Sequence, residues 1–398
     1  MQNFDFYNPV KVLYGPGRTN EIGIEAAKIG KIALVVTYSD APYLDPLIQR
    51  VKGLLEAAGV QAILHKAATA NPQLCQAKSG VQLCRDHQVD LVIGVGGGSA
   101  MDLSKVIAAG ALFPHDDIRK MIKFSHSHSL DIPLEKALPT LMLPTLPATG
   151  SEMNPTAVIT DEVTHEKSYV WAPQCLFPQT AIIDPELLTT LPRYQMACGG
   201  VDIVSHILES YVNGSGEGMD VIDGMQEGVM KAVLANIVKA IECPEDTATR
   251  GMLQWASDIA INGWVTSGTY SFTPMHQMGH VLSARYNATH GATLSAMMIA
   301  WFRYFDQKQG NERYVKAARQ IFGCTTPLEA SQWMEKKFSD YGIQISIKQF
   351  GVKKEEIRSL AEDVQRISFS ADNVLPCLPP LNVDDIEEIF ALSYELGQ

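Results

Sequence analysis

Short apolar runs alternate with helical stretches through the first half of the chain. Residues 32–36 form a run of branched apolar side chains, the pattern of a buried parallel strand. Apolar residues then recur at helical spacing between Asp45-Pro46, a helix-start signal with Asp45 as N-cap, and Gly59, a helix-stop signal. The same reading predicts strands at 61–64, 90–95, 141–143 and 181–183, and helices at about 71–87, started by Asn71-Pro72, and up to residue 112. Such alternation predicts a parallel sheet with helices on both faces.

Strand-like runs end near Asp184-Pro185, and the second half has only helical patterning. Its clearest feature is an apolar stripe at i, i+4 spacing, formed by Met225, Val229, Val233, Ile237 and Ile241. We therefore predict an α/β protein with two domains. Residues 1–187 form a doubly wound parallel-sheet dinucleotide-binding domain, and residues 188–398 form an all-helical metal and substrate domain.

Composition narrows the classes of partner. The chain has 398 residues, 46% of them hydrophobic, and a formal net charge of −12, which argues against a nucleic-acid partner. No uninterrupted apolar run approaches the about 20 residues that a bilayer span needs, so no membrane association is expected. The seven cysteines are scattered and never form CxxC, which is typical of reduced thiols. The expectation is a cytoplasmic protein.

Two polar loops follow predicted strands. The segment 94–99 (GVGGGS) opens a helix, where glycines let backbone amides approach a diphosphate and the helix N-terminus favours negative charge. The segment 145–152 (TLPATGSE) emerges at the same edge and offers hydroxyls to a ribose or phosphate. Each loop could also be an ordinary tight or capped turn without a ligand. The position at the carboxyl ends of strands favours cofactor binding.

Histidines of the second half are grouped. Asp202 and His206 are four residues apart in an apolar helix, so they share one face. His276 and His280 repeat this spacing, and His290 precedes a strongly apolar helix. A buried carboxylate with several imidazoles usually binds a divalent cation. The alternative is that each histidine is a hydrogen-bonded core or surface residue.

These segments together resemble the iron-containing (group III) alcohol dehydrogenase family over essentially the whole chain. The resemblance rests on GGGSAMD (96–102), ATGSE (148–152), ITDEVTHEK (159–167), GGVDIVSHILESY (199–211) and HQMGHVLSARYNATHG (276–291). The last two correspond to the family's metal signature and are the most specific. Ala148 stands where the family usually has glycine, as in its aldehyde-reductase and butanol-dehydrogenase branch.

The resemblance implies roles for individual residues. The implied metal ligands are Asp202, His206, His276 and His290, with His280 as the catalytic, non-ligand histidine that faces substrate. The implied cofactor contacts are Gly97, Gly98 and Ser99 at the diphosphate, Asp102 nearby, Thr145 and Thr149 along the cleft, and Lys167 at the ribose. The family also implies one metal ion per chain, iron(II) before zinc(II), and a homodimer or larger homo-oligomer.

Nucleotide choice is left open by the loop at 37–41. Family members strict for NAD tend to have an acidic residue directly after the threonine, whereas NADP users have a glycine-rich stretch. Here Tyr38 follows Thr37, and Asp40 comes two positions later. Both Tyr38 and Asp40 are therefore candidate cofactor contacts, and both NAD and NADP remain candidates.

The expected function is metal-dependent hydride transfer between NAD(P)(H) and a primary alcohol/aldehyde pair, with the metal polarising the substrate oxygen. His280 would relay the proton, or alternatively pack behind the metal ligands. Three other enzymes stay open: a dehydroquinate-synthase-like lyase, a polyol-phosphate dehydrogenase of the same superfamily, and a metal-dependent hydrolase. The mostly apolar residues near the histidines, such as Val281 and Met297, favour an apolar substrate end.

Overall fold

The computed structural model describes residues 1–124, 133–214, 218–270, 272–306 and 308–397. Contacts within the chain define two compact units. The α/β unit comprises Tyr7–Leu191 and Pro244–Asp258, and the helical unit comprises Met1–Phe6, Pro192–Cys243 and Ile259–Gln398. These units differ in three places from a single division between residues 187 and 188. The main boundary lies between residues 191 and 192, residues 1–6 belong to the helical unit, and residues 244–258 belong to the α/β unit. The predicted domain division stays a prediction.

A six-stranded parallel sheet forms the centre of the α/β unit. Its strands are β1 (Lys11–Tyr14), β2 (Ile32–Tyr38), β3 (Gln61–Ala68), β4 (Leu91–Gly96), β5 (Thr140–Pro144) and β8 (Thr180–Ile183), in the order β1-β8-β5-β4-β2-β3. A separate antiparallel hairpin consists of β6 (Thr156–Asp161) and β7 (Glu166–Trp171). The predicted parallel sheet is confirmed. Sequence patterning did not predict β1 or the hairpin.

Helices cover both faces of the sheet, as a doubly wound fold requires. They are α1 (Ile22–Ile29), α2 (Asp45–Ala57), α3 (Leu74–Asp86) and α4 (Gly98–Leu112). The α/β unit also includes α7 (Thr247–Ile261) up to Asp258. Alternate residues of β2 point to opposite faces, so Leu34 and Val36 join one core cluster while Ala33 and Val35 join the other. All four side chains are fully buried. The near-continuous apolar run of β2 follows from burial on both faces.

Two predicted helix starts were wrong in detail. Asp45 is the first residue of α2 and not its N-cap, which is Leu44. Helix α3 begins at Leu74 and not at Asn71-Pro72, because Gln73 and Gln76 cap it through a reciprocal pair of hydrogen bonds. The helix stop at Gly59 is confirmed: this residue has φ of +77°, a left-handed conformation that glycine adopts without strain.

The described residues of the helical unit form helices without any strand. They are α5 (Arg193–Val212), α6 (Asp220–Glu242), α8 (Pro274–Tyr286), α9 (His290–Phe305), α10 (Glu312–Gln320), α11 (Pro327–Asp340), α12 (Ile357–Ser368) and α13 (Val383–Tyr394). Helix α5 is buried along most of its length and packs against α6 and α9. Within the described ranges, no helix combines the length and the apolar character needed to cross a membrane.

The buried face of α6 differs from the predicted stripe. Met225, the first residue of that stripe, is 38% exposed, whereas Gln226 and Met230 are buried with Val233 and Ile237. Strict i+4 spacing drifts by about 40° per step around a helix of 3.6 residues per turn, so it leaves the core face after a few steps. The buried positions alternate spacings of three and four, which keeps them on one side.

Candidate functional site

Helix α5 carries the first two predicted metal ligands. Asp202 and His206 lie one turn apart on this helix, and their side chains are only 3% and 10% exposed. The helix can be buried this deeply because small residues allow its neighbours to approach closely. Gly200 packs against Ile237 of α6, and the backbone of Cys198 contacts Gly291 of α9. The Asp202 side chain therefore lies in the interior of the helical unit.

Three histidines from three helices surround the Asp202 carboxylate. Its Oδ1 atom is 3.6 Å from Nδ1 of His206, 3.6 Å from Nε2 of His276 and 3.8 Å from Nε2 of His290. These distances exceed hydrogen-bond length. They match the separation of about 3.0–3.8 Å expected between two atoms that each lie about 2.1 Å from one ion. The spacing therefore fits shared coordination of a cation.

The histidines do not approach one another equally. Among the described residues, Asp202, His276 and His290 form one group whose potential ligand atoms all lie within 4.8 Å of one another. His206 is not part of this group, although its ring centre is 4.4 Å from that of His276. Three of the four predicted ligands thus lie close enough to one another to hold a metal ion without any movement of their side chains. His206 as the fourth ligand stays a prediction.

The electrostatics of the cluster fit a cation. Burial lowers the pKa of His206 to about 4, so its imidazole is neutral near pH 7 and keeps a lone pair. Burial also acts to lower the pKa of His276, but the Glu209 and Asp202 carboxylates outweigh this effect and raise it to about 10. Within the described part of the chain, buried Nδ1 of His206 and Nε2 of His276 make no hydrogen bond. The raised pKa of His276 shows that the two buried carboxylates favour a positive charge at this place, which a divalent metal would supply in place of the proton.

Glu209 is a functional candidate that the sequence analysis missed. It is fully buried on α5, and its carboxylate contacts Nδ1 of His276 and the backbone amides of Met275 and His276. The signal was present, because Asp202, His206 and Glu209 follow i, i+4, i+7 spacing along one helix face. The residue type gave no further signal, because a glutamate on a helix face is usually exposed to solvent.

His280 lies beside the cluster and outside the group of three. It is buried on α8, one turn after His276. Its ring centre is 5.4 Å from that of His290 and 6.3 Å from that of His276. This position, next to the cluster without joining it, is compatible with a proton donor and with a packing role.

The glycine loop of the α/β unit lies at the carboxyl end of β4. Gly96 has φ of +150°, Gly97 is the N-cap of α4, and the helix starts at Gly98. A Cβ atom on Gly98 would lie 2.5 Å from Cγ2 and Oγ1 of Thr149, so the second polar loop packs directly on the first. The amide of Thr145 also donates to the carbonyl of Gly96, at 2.9 Å. The two predicted loops therefore form one surface at a helix N-terminus.

Tyr38 joins this surface from the end of β2. A Cβ atom on Gly97 would be 3.1 Å from the Tyr38 hydroxyl, which also hydrogen-bonds with Ser99. Burial raises the pKa of Tyr38 to about 12, so the phenol stays protonated. Ser99 itself donates to the carbonyl of Ala70, at 2.6 Å. Asp40, two residues after Tyr38, is exposed.

Asp102 and Lys167 are engaged with the protein. The Asp102 carboxylate accepts hydrogen bonds from the Ser151 hydroxyl at 2.6 Å and from the Val158 amide at 3.0 Å. These bonds tie α4 to the second loop and to the hairpin. Lys167 donates to the side chain of Asn71 at 3.0 Å. Asp102 thus holds the loop in place, and the roles of Asp102 and Lys167 as cofactor contacts stay predictions.

Two buried carboxyl groups meet behind the second loop. Glu152 and Asp258 are fully buried and hydrogen-bonded to each other, and the Gln254 amide donates to Glu152. Burial raises the pKa of Glu152 to about 7, and burial together with Glu152 raises that of Asp258 well above its ordinary value. Two carboxyl groups can hydrogen-bond only if one is protonated. The pair therefore shares a proton in the folded protein.

This shared proton makes stability depend on pH. A carboxyl group with a raised pKa stabilises the fold fully below its ordinary pKa, and this contribution is lost as the pH rises through about 7. In the Asp258→Asn variant, an amide donor faces Glu152 at every pH. Between about pH 5 and about pH 8 the unfolding free energy of the wild type, measured in urea, should fall. In Asp258→Asn we expect this fall to be smaller by on the order of 1–3 kcal/mol. The exposed Asp86→Asn change is the control, and parallel pH curves for wild type and Asp258→Asn would refute the shared proton.

Family models match nearly the whole chain. Residues 9–185 match the model described as iron-containing alcohol dehydrogenase. Residues 196–394 match the model for the C-terminal part of the Fe-containing alcohol dehydrogenase family. The first match contains the two polar loops, and the second contains the Asp202 cluster.

Individual proteins agree with these models. The chain is 32% identical to NADH-dependent butanol dehydrogenase A of Clostridium acetobutylicum over 99% of this chain and 100% of that one. It is 29% identical to the NADPH-dependent aldehyde reductase YqhD of Escherichia coli, over 82% and 81% of the two chains. The crystal structure of NADH-dependent butanol dehydrogenase A from Thermotoga maritima superposes with a TM-score of 0.90, at 31% identity and 99% coverage of both chains. The chain thus belongs to the iron-containing alcohol dehydrogenase family.

Proposed function

We propose that this protein interconverts a primary alcohol and its aldehyde with NAD(P)(H), using one divalent metal ion held by Asp202, His206, His276 and His290. Family membership supports the NAD(P)-dependent oxidoreductase activity and disfavours the hydrolase and lyase alternatives. The observation that carries the metal site is the buried Asp202 carboxylate, whose Oδ1 lies 3.6–3.8 Å from three imidazole nitrogens.

The residues fit a metal of the iron(II) or zinc(II) type. The donors are nitrogen and oxygen atoms without a thiolate, and two of the buried imidazole nitrogens are not used in hydrogen bonds within the described ranges. When bound, such a metal supplies Lewis acidity that polarises the carbonyl oxygen of the aldehyde. We propose iron(II) as the native ion because of the family, with zinc(II) as the alternative.

The α/β unit would bind the cofactor through its two packed loops. Backbone amides at the start of α4, including those of Gly98 and Ser99, can donate to a diphosphate, and the helix dipole favours the negative charge there. Thr145, Thr149 and Tyr38 line the same surface. A reduced nicotinamide held by these residues would supply the hydride for the carbonyl carbon, and a group of the protein would have to supply the proton for the carbonyl oxygen.

His280 is the proposed source of that proton. An unperturbed imidazole titrates near neutrality, which suits a general acid or base. Replacement by alanine should lower turnover by about 100-fold while the purified protein keeps its metal. Exposed His87→Ala is the matched control. Steady-state kinetics and metal analysis check this, and unchanged turnover in His280→Ala would assign the residue to packing.

Nucleotide preference is a finer part of the proposal. We propose NAD(H), because the exposed Asp40 carboxylate follows β2 and would repel the 2′-phosphate of NADP(H). Asp40→Asn should raise kcat/KM for NADPH relative to NADH by about tenfold, equivalent to about 1.4 kcal/mol. Glu56→Gln, an exposed change on α2, should leave the ratio unaltered. An unchanged ratio in Asp40→Asn would remove this residue from nucleotide selection.

Two measurements on purified wild-type protein test the whole proposal. Metal analysis should find about one iron or zinc ion per chain. Assays with short and medium aldehydes should show oxidation of a reduced nicotinamide that stops when a chelator removes the metal. Full activity without metal would refute the metal site, and failure to bind either nicotinamide would refute the oxidoreductase.

A further inference from the structure

Glu209 connects the metal cluster to the start of α8. Its side chain is fully buried. One oxygen, Oε1, accepts hydrogen bonds from the backbone amides of Met275 and His276, and the other, Oε2, contacts Nδ1 of His276. Two backbone N–H groups and one imidazole nitrogen thus converge on one carboxylate.

The first turn of α8 needs this carboxylate. The first residue of the helix, Pro274, has no amide hydrogen, and the N-cap Thr273 makes no capping hydrogen bond with its side chain. The amides of Met275 and His276 would otherwise lack an acceptor in a buried position. Glu209 of α5 satisfies them in place of the N-cap residue, and its negative charge is favoured at a helix N-terminus.

The same carboxylate decides which nitrogen of His276 carries hydrogen. An ionised carboxylate can only accept hydrogen bonds, so Nδ1 must be the donor in this contact. In the neutral imidazole the lone pair is then on Nε2, the nitrogen that lies 3.6 Å from Oδ1 of Asp202. Glu209 also limits rotation of the ring, because Nδ1 and the His276 amide contact the same carboxylate.

We propose that Glu209 is a positioning residue that fixes the tautomer and orientation of His276 and thereby sets the affinity of the site for its metal. This inference rests on the proposed metal-binding function of Asp202 and the histidines. A carboxylate that orients a metal-bound histidine typically changes metal affinity by about 10–100-fold when it is lost.

Glu209→Gln separates positioning from simple filling of space. The amide has almost the same shape, but it offers one acceptor and one donor where the carboxylate offers two acceptors. If its oxygen caps the amides of α8, its NH₂ group faces Nδ1 and forces the hydrogen of His276 onto Nε2. If the amide group is flipped, its NH₂ faces the backbone amides of Met275 and His276, which then lose their acceptor. Neither orientation reproduces the wild-type arrangement.

The experiment measures the affinity of the full-length protein for zinc(II) and iron(II) by competition with a chelator. Glu209→Gln should bind each metal about 10–100-fold more weakly than the wild type. Glu227→Gln is the matched control: this glutamate of α6 also accepts a hydrogen bond, from Tyr211 at 2.8 Å, and should leave metal affinity unchanged. Thermal unfolding of the metal-free proteins reports any structural effect of either change separately.

The possible results separate the inference from the function on which it rests. Unchanged metal affinity in Glu209→Gln would overturn the role of Glu209 while the metal site stands. An equal loss in Glu227→Gln would also overturn it, because the effect would then be general. A wild-type protein that binds neither metal would overturn the metal site and this inference with it.

A second measurement uses only the wild-type protein and does not depend on how a variant folds. In the zinc-loaded protein with nitrogen-15-labelled histidine, NMR should show the imidazole hydrogen of His276 on Nδ1 and a nitrogen signal of a metal-bound type at Nε2. A hydrogen on Nε2 would overturn the proposal. A purely structural role for Glu209 predicts no particular tautomer of His276.

Discussion

Asp202→Asn should lose bound metal and turnover together. Asp202 supplies the only carboxylate among the four proposed ligands, and its Oδ1 lies within 3.8 Å of nitrogens from three histidines. The amide keeps the shape of the side chain but removes the negative charge that would balance a dication in a buried place. We expect metal affinity to fall at least about 100-fold, equivalent to about 3 kcal/mol.

Metal analysis and steady-state kinetics on the same preparation check this result. Because the loss is one of affinity, excess iron(II) or zinc(II) should restore part of the turnover. Asp220→Asn, at the exposed start of α6, is the matched control and should keep both metal and activity. If Asp202→Asn retains metal and turnover within about twofold of the wild type, the carboxylate is not a ligand and the proposed site fails.

Gly291→Ala should destabilise the helical unit and loosen the metal site at once. A Cβ atom at this position would lie 2.2 Å from the carbonyl oxygen of Cys198 and 2.7 Å from its carbonyl carbon. Backbone atoms cannot rotate out of the way, so α9 must move away from α5. His290 directly precedes Gly291, and Asp202 follows Cys198 by one turn. The displacement therefore separates two of the proposed ligands.

The expected loss of unfolding free energy is about 1–3 kcal/mol, the usual cost of overpacking. For a unit of this size the melting temperature should fall by roughly 2–12 °C. Gly228→Ala on α6 is the matched control, because a Cβ atom there would have no neighbouring side chain or element within 4 Å in the described part of the chain. Alanine in a helix interior is more stable than glycine by about 0.5–1 kcal/mol, so this variant should unfold slightly later than the wild type. Equal melting temperatures for the two variants would show that α5 and α9 can separate without cost.

Local sequence patterns were sufficient for most of the α/β unit. The apolar runs at β2, β4, β5 and β8 identified buried strands, because a strand covered on both faces has few polar positions. The hairpin and β1 were missed since β1 is a four-residue edge strand and the hairpin lies outside the main sheet. Only Leu13 of β1 is buried, and both hairpin strands have polar residues among their buried positions, so neither element shows an apolar run.

For the candidate site, the sequence determined which residues could take part. Asp202, His206 and Glu209 share a helix face because of the 3.6-residue period, and the glycine loop lies at a strand end because strands and helices alternate. Only the tertiary structure decided which of them meet. His276 and His290 are separated from Asp202 by more than 70 residues, and no spacing rule fixes that distance. The close approach of α5 and α9 at Gly291, and the capping of α8 by Glu209, decide it through packing and hydrogen bonding between helices.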